Sequence, residues 1–328
     1  MQRRLEAIIE PDAGEAWQAL FDRMWPGYRS WYLREGEAAR PTFLDCRSNL
    51  RRAMPKLRRT YEGLVELAGG GDIEARFLSL YNPPAFLAGC SQLVHLGDEP
   101  ILIRNYDYHP QLWEAVLLGS SWTGQRVLAM SDCLWGVLDG INEAGVCVAL
   151  AFGGRRVTGD GFGAPLILRN LLENCTRTRD AEALLRKSPS HMSYTITVLD
   201  RRGEHVTAYL SPDRSPHFTR EMIATNHQLR VEWPEHAAAT ATVERRCHLE
   251  KLVSAAPQPL SVEDLIPVFL SAPIRSASYA RGFGTLYTAV YRPARGLAEY
   301  HWPGKEWSFD VNQLVAGSRT LRFAASGR

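Results

Sequence analysis

Ala88-Gly89-Cys90-Ser91-Gln92-Leu93-Val94-His95 runs into Leu96-Gly97-Asp98-Glu99-Pro100 and then into Ile101-Leu102-Ile103-Arg104-Asn105-Tyr106-Asp107-Tyr108. Two β-prone runs around a Gly-Asp-Glu-Pro turn read as a hairpin. With the turn centred between Asp98 and Glu99, Cys90 falls opposite Asp107, where cross-strand Cβ atoms lie about 4.5 to 5.5 Å apart. On that register Asn105 and Asp107 share the face of Cys90 and Arg104 points away, so a bulge or bend near Tyr106 is needed to bring Arg104 to the thiol.

The glycine before the cysteine permits a strained turn and leaves its carbonyl open to attack. Attack by Cys90 on the Gly89 carbonyl would pass through a thioester and leave Cys90 as a new N-terminus. A free α-amino group titrates at about 7.7 to 8.0 and would serve as the base of its own thiol. The Arg104 guanidinium would favour the thiolate, and the Asp107 carboxylate would orient the ammonium.

Three further motifs follow in order: Arg104-Asn105-Tyr106-Asp107-Tyr108, then Asp139-Gly140-Ile141-Asn142-Glu143-Ala144-Gly145-Val146, then Ala224-Thr225-Asn226-His227-Gln228. With Gly89-Cys90-Ser91 they resemble the acyl-coenzyme A:6-aminopenicillanic acid acyltransferase family, among the N-terminal-nucleophile hydrolases and related to the choloylglycine hydrolases. The resemblance covers roughly Ala85 to Trp302. It implies an α+β fold, a four-layer α-β-β-α sandwich with two stacked antiparallel sheets. It also implies catalytic roles for Cys90, Arg104, Asp107 and Asn226, the asparagine donating an amide N–H to the oxyanion. Arg281 would match a second active-site arginine of the bile-salt hydrolases and bind substrate; Tyr106, read from its place near the motif strands rather than from the resemblance, would line an apolar acyl pocket. At Leu150-Ala151-Phe152 those hydrolases carry an asparagine, so here only a backbone N–H can donate. No metal or bound cofactor is implied, although a coenzyme A thioester would serve as an acyl-donor substrate.

The remaining composition bounds the partners. The 328 residues are 45% hydrophobic and 23% charged, with a net charge of +2 from 38 basic and 36 acidic residues. This is ordinary globular composition with no field that selects nucleic acid or a membrane surface. The start, Met1-Gln2-Arg3-Arg4-Leu5-Glu6, has no apolar run resembling a signal peptide, and no run of about 18 apolar residues occurs to span a bilayer. Six widely spaced cysteines are then expected as reduced thiols of a cytoplasmic protein. The basic run Arg47, Arg51, Arg52, Lys56, Arg58 and Arg59, which could suggest a nucleic-acid face, reads as a solvated helix face given the balanced total charge.

Residues 1 to about 82 read as helical, with Trp17, Leu20, Phe21 and Met24 at three-to-four spacing. Cleavage would make residues 1–89 a helical pro-region or small subunit that stays packed on the catalytic domain of residues 90–328. Strands are expected from Cys90, helices after Pro165 and from Thr242 and Ser261, and a closing hairpin from Thr285 to Trp302. The leading expectation is an inactive precursor that cuts itself and then hydrolyses a small-molecule amide, or transfers its acyl group, through a thioester. Two others stand beside it: a non-catalytic binding protein of the same fold, and an uncut cysteine–histidine peptidase using His227.

Overall fold

The computed structural model describes residues 1–255, 260–281 and 283–323, without the side chain of Arg281. The chain opens on a strand where helix was expected: in β1 (Gln2–Ile9) Leu5 and Ala7 are buried between less buried neighbours, a period of two. The helical stretch follows as α1 (Glu15–Tyr32), α2 (Phe43–Ala53), α3 (Arg58–Leu67) and α4 (Asp72–Leu78). Trp17, Leu20 and Phe21 form the buried stripe of α1, which continues through an exposed Pro26. Arg47, Arg51, Arg52 and Arg59 are exposed, as expected of a solvated face.

Strands take over at β2 (Gly89–Leu96) and β3 (Pro100–Tyr108), followed by β4 (Val116–Ser120), β5 (Val127–Asp132), β6 (Gly136–Asn142) and β7 (Val146–Phe152). Helices α5 (Ala164–Asn174) and α6 (Thr178–Leu185) precede β8 (Tyr194–Asp200), β9 (His205–Ser211), β10 (Arg214–Thr219) and the short β11 (Ile223–Ala224). Then come α7 (Pro234–Ala239), α8 (Thr242–Ala255) and α9 (Val262–Phe269), the last with the expected Ser261 and Asp264 capping box. The hairpin of β12 (Gly284–Arg292) and β13 (Leu297–Trp302) does not close the chain, because β14 (Lys305–Asp310) and β15 (Gly317–Arg322) follow.

These strands form a nine-stranded sheet, ordered β10-β9-β8-β7-β6-β5-β4-β1-β15, and a six-stranded sheet, ordered β11-β2-β3-β12-β13-β14. Neighbours run antiparallel except β1 and β4, which pair in parallel. The sheets are stacked: the Thr197 hydroxyl on β8 donates to Gln92 Oε1 on β2 at 2.6 Å, and Arg104 on β3 donates to Asp139 on β6. Helix α5 packs on β6 and β7. On the far side of the other sheet, Leu93, Ile101 and Ile103 form a second core with Leu249, Leu265 and Phe269 of α8 and α9. The order of layers is therefore helix, sheet, sheet, helix, the α+β sandwich expected. The six cysteines are free, all buried except Cys247.

Candidate active site

The hairpin forms, but its register differs from the expected one by one residue. Gly89 pairs with Asp107, Cys90 with Tyr106 and Gln92 with Arg104, so the turn is centred on Asp98. Because side chains alternate, a one-residue slip exchanges faces. Cys90, Arg104 and Tyr106 thus share the face toward the nine-stranded sheet, whereas Asp107 points toward the helices. Arg104 needs no bend to reach the thiol: its Nη2 donates to Cys90 Sγ at 2.9 Å.

The bulge expected near Tyr106 lies on the neighbouring strand. Thr285 of β12 pairs with Asp107 and Tyr287 with Tyr106, leaving Leu286 as the extra residue. A regular strand would point Thr285 and Tyr287 the same way. The bulge sends Thr285 outward, where its hydroxyl donates to Asp107 Oδ1 at 2.6 Å, and Tyr287 inward, where its hydroxyl donates to Asp139 at 2.5 Å.

Asp139 anchors the inner half of the site. It sits inside β6 and is fully buried. It accepts from Arg104, Tyr287 and Tyr291, while Arg104 Nη1 also donates to the Leu138 carbonyl at 3.1 Å. The guanidinium lies 5.1 Å from the centre of the Tyr106 ring. A buried cation paired with a carboxylate and flanked by aromatic faces is held in one geometry.

Asn226 reaches the cysteine from the other edge. β11 pairs Ala224 with Gln92, and two residues further on Asn226 Oδ1 accepts the Cys90 N–H at 2.9 Å. Its Nδ2 donates to the carbonyls of Ala88 at 3.2 Å and Phe152 at 3.3 Å. The amide is thereby shared between the cysteine nitrogen and the chain just upstream of it.

Arg245 on α8, absent from the sequence-based set, joins these parts. Its Nη1 donates to the Cys90 carbonyl and the Ser91 hydroxyl, each at 2.7 Å, and lies 3.4 Å from Asp107 Oδ2. Its Nη2 donates to Asn226 Oδ1 at 2.8 Å. The signal was present in the sequence: Thr242, Arg245 and Leu249 are the buried residues of α8 at helical spacing, so an arginine occupies a core-facing position. Asp139, a lone carboxylate in an apolar strand, likewise demanded a buried partner.

Burial pushes the Cys90 thiol up to about 11, opposed by the nearby Arg104 and Arg245 guanidiniums, with the Asp107 carboxylate adding to the rise. Asp107 is also raised by burial, against the pull of Arg245 and the Thr285 hydroxyl. In the uncut chain the thiol is therefore protonated near neutral pH. His227 does not serve it: its Nδ1 bonds the Thr242 hydroxyl at 2.9 Å, and among the described residues no imidazole bonds Cys90. Tyr106 is buried opposite Cys90. The side chain of Arg281 lies outside the described residues.

The site is thus a buried cysteine at a strand start, its sulfur facing one arginine and its nitrogen bonded to an asparagine. The sequence profile of the acyl-coenzyme A:6-aminopenicillanic acid acyl-transferase family matches residues 94–307, about two thirds of the chain, and the protein belongs to that family. It is thus an enzyme of an acyl-transferase family. The matched segment begins four residues after Cys90, and holds Arg104, Asp107, Asn226 and Arg245.

No curated protein sequence matches the chain. Among solved structures, penicillin V acylase from Agrobacterium tumefaciens is similar at 16% identity and a TM-score of 0.49, covering 72% of this chain and 92% of that one. A conjugated bile acid hydrolase from Clostridium perfringens gives 10% identity and a TM-score of 0.47, covering 72% and 97%. An N-acylethanolamine-hydrolyzing acid amidase orthologue from Caenorhabditis elegans gives 16% and 0.46, covering 62% and 93%.

Proposed function

We propose that the protein is made as an inactive precursor, cuts itself between Gly89 and Cys90, and then acts as an N-terminal-cysteine amide hydrolase or acyltransferase. The observation that carries this reading is the position of Cys90: its sulfur meets Arg104 Nη2 at 2.9 Å while its nitrogen meets Asn226 Oδ1 at the same distance. Both atoms that self-cleavage alters already have partners suited to their products. Attack of the thiolate on the Gly89 carbonyl forms a C–S bond. The Gly89–Cys90 C–N bond breaks, and the nitrogen takes the thiol proton to become an amine. Water then hydrolyses the thioester, leaving a Gly89 carboxylate and a free Cys90 α-amino group.

In the mature enzyme that amine takes the thiol proton, Arg104 stabilises the thiolate, and Asn226 Oδ1 orients the amine. Once the Gly89–Cys90 bond is cut, a local shift of the new Gly89 end frees Asn226 Nδ2 from the Ala88 carbonyl, and the released donor faces the oxyanion that forms on the substrate. A thioester acyl-enzyme follows. Water completes hydrolysis of an amide; an amine completes transfer, with a coenzyme A thioester as an alternative acyl donor. Asp107, on the opposite face from the thiol, acts through Arg245 and is a positioning residue.

Intact mass and N-terminal sequencing test the reading. Wild-type protein is expected as two chains, the larger starting at Cys90, and Cys90→Ala as one uncut chain without amidase activity. A single uncut wild-type chain with full activity would remove the α-amino base from the mechanism.

A further inference from the structure

A cleft of about 250 Å³ lies one strand residue pair along β3 from the Cys90 site and reaches it through Tyr108. Tyr108 forms one wall; it follows Tyr106 by two residues on the inner face of β3, and so lies diagonally from Cys90 at roughly 7 to 8 Å. Trp31, Phe86 and Trp113 supply further aromatic surface. Phe86 comes from the segment just before Gly89, which places the cleft on the acyl side of the bond that is cut.

Two acids, Glu114 and Asp132, stand on this otherwise apolar cleft. The Tyr28 hydroxyl donates to Glu114 Oε2 at 2.9 Å, lies 3.4 Å from Asp132 Oδ1, and accepts the Cys133 N–H at 2.9 Å. The Ser131 hydroxyl and the Leu134 N–H also donate to Glu114. Among the described residues neither carboxyl has a cationic partner within 4.0 Å. Among the described residues Arg3 is the one basic residue on the wall, and its guanidinium is committed to the carbonyls of Pro110 and Gln111. A second observation points to an occupant: the Trp113 indole N–H, on the same wall and 3% exposed, has no hydrogen-bond partner among the described residues. A buried donor without an acceptor is costly unless something fills the place.

We propose that this cleft is a substrate subsite for an aromatic or apolar acyl group that carries a protonated amine. The aromatic walls enclose the organic body, Glu114 and Asp132 take the ammonium, and Trp113 donates to an acceptor on the occupant. The acyl assignment rests on the reading of Cys90 as nucleophile. A larger cavity, of about 780 Å³, meets the site only through Thr285 and Tyr287 and lies on the side of β12 and β13.

The test uses benzylamine and its neutral counterpart benzyl alcohol as probes, with binding to the full-length protein read by calorimetry at pH 8. Benzylamine is expected to bind at least tenfold more tightly. Glu114→Gln with Asp132→Asn should abolish that preference while leaving benzyl alcohol unaffected. Should the double variant fail to fold, wild-type protein gives the same answer by pH: benzylamine affinity rises at least tenfold from pH 5 to 8 and that of benzyl alcohol stays flat. Tyr28, Tyr108, Cys133 and Arg3, the other titratable groups on the cleft, keep their charge over that range, the three acids because burial raises them. Equal affinities, or a preference that survives both substitutions, overturns the proposal. In turnover, a 4-(aminomethyl)phenylacetyl anilide should exceed its hydroxymethyl analogue tenfold in kcat/KM. Intact mass separates the two readings: a self-cut chain indifferent to charge overturns the subsite alone, and an uncut, inactive chain that prefers benzylamine overturns the nucleophile.

Discussion

Arg104 carries two duties, and they can be separated. It neutralises the buried Asp139, and it faces the Cys90 sulfur. Removing one partner of a buried ion pair costs about 3 to 5 kcal/mol, mostly because the other charge is stranded. Arg104→Met should therefore melt well below wild type, and Asp139→Asn in the same chain should restore much of the loss. Self-cleavage should not recover: without the guanidinium the thiol, already up at about 11, rises further, and each unit is tenfold in thiolate. Cleavage of the refolded precursor at pH 8, followed by mass, is expected at least tenfold slower in the single and the double variant alike; recovery of rate in the double variant would deny Arg104 its role at sulfur. Glu114 and Asp132 make a pH prediction of opposite sense to ordinary paired acids. Burial, with mutual repulsion, pushes Glu114 up to about 7, and burial pushes Asp132 up to about 6. The folded state then binds more protons than the unfolded one, so stability present at pH 4 is lost as pH rises through 6 and 7. The two together amount to a few kcal/mol. Glu114→Gln should raise Tm at pH 8 and leave it nearly unchanged at pH 4.5, as thermal melts at the two values would report.

Helix α8 shows how an element outside the hairpin completes the site. One guanidinium, that of Arg245, spans the Cys90 carbonyl, the Ser91 hydroxyl and Asn226 Oδ1. Lysine keeps the charge facing Asp107 but has a single nitrogen and cannot reach all three. Arg245→Lys is expected to slow self-cleavage 10- to 100-fold and to lower kcat with KM little changed, at a stability loss of about 2 kcal/mol. A parallel rise in KM would instead assign Arg245 to substrate binding. The same elements explain what could be read in advance. The hairpin was legible because Gly97 to Pro100 announces a turn between β-prone runs. Its register was not, since centring the turn on Asp98 or half a residue later changes no residue in either strand yet exchanges the faces of Arg104 and Asp107. The bulge at Leu286 was invisible for a related reason: Gly-Thr-Leu-Tyr-Thr-Ala reads as an unbroken strand, and only the partners of Thr285 and Tyr287 on opposite faces require the extra residue. Asn226 was found through its motif, whereas Arg245 sits among Glu244 and Arg246 and resembles a solvated helix until its spacing from Thr242 and Leu249 is counted.

At the scale of the whole molecule the first 89 residues are built into the fold they precede. Strand β1 lies inside the nine-stranded sheet, bonded on one edge to β15 from Gln2 to Ala7 and on the other to β4 from Glu6 to Ile9. Helix α1 buries Trp17, Leu20 and Phe21 in the main core, where each large apolar side chain contributes about 1.5 to 3 kcal/mol. The same helix supplies Tyr28 and Trp31 to the cleft that reaches the Cys90 site through Tyr108. Withdrawing the segment would therefore open two strand edges, strip a core face and dismantle a wall of the cleft. It follows that cleavage at Gly89 should nick the molecule without releasing a fragment, as both pieces elute together in size exclusion and part only in denaturant. The sharper experiment expresses residues 90–328 alone. That fragment is expected to be insoluble or inactive, and to regain solubility and turnover when residues 1–89 are co-expressed. A soluble, active 90–328 would mean that the N-terminal segment is a disposable inhibitor and that β15 and β4 manage without the strand between them.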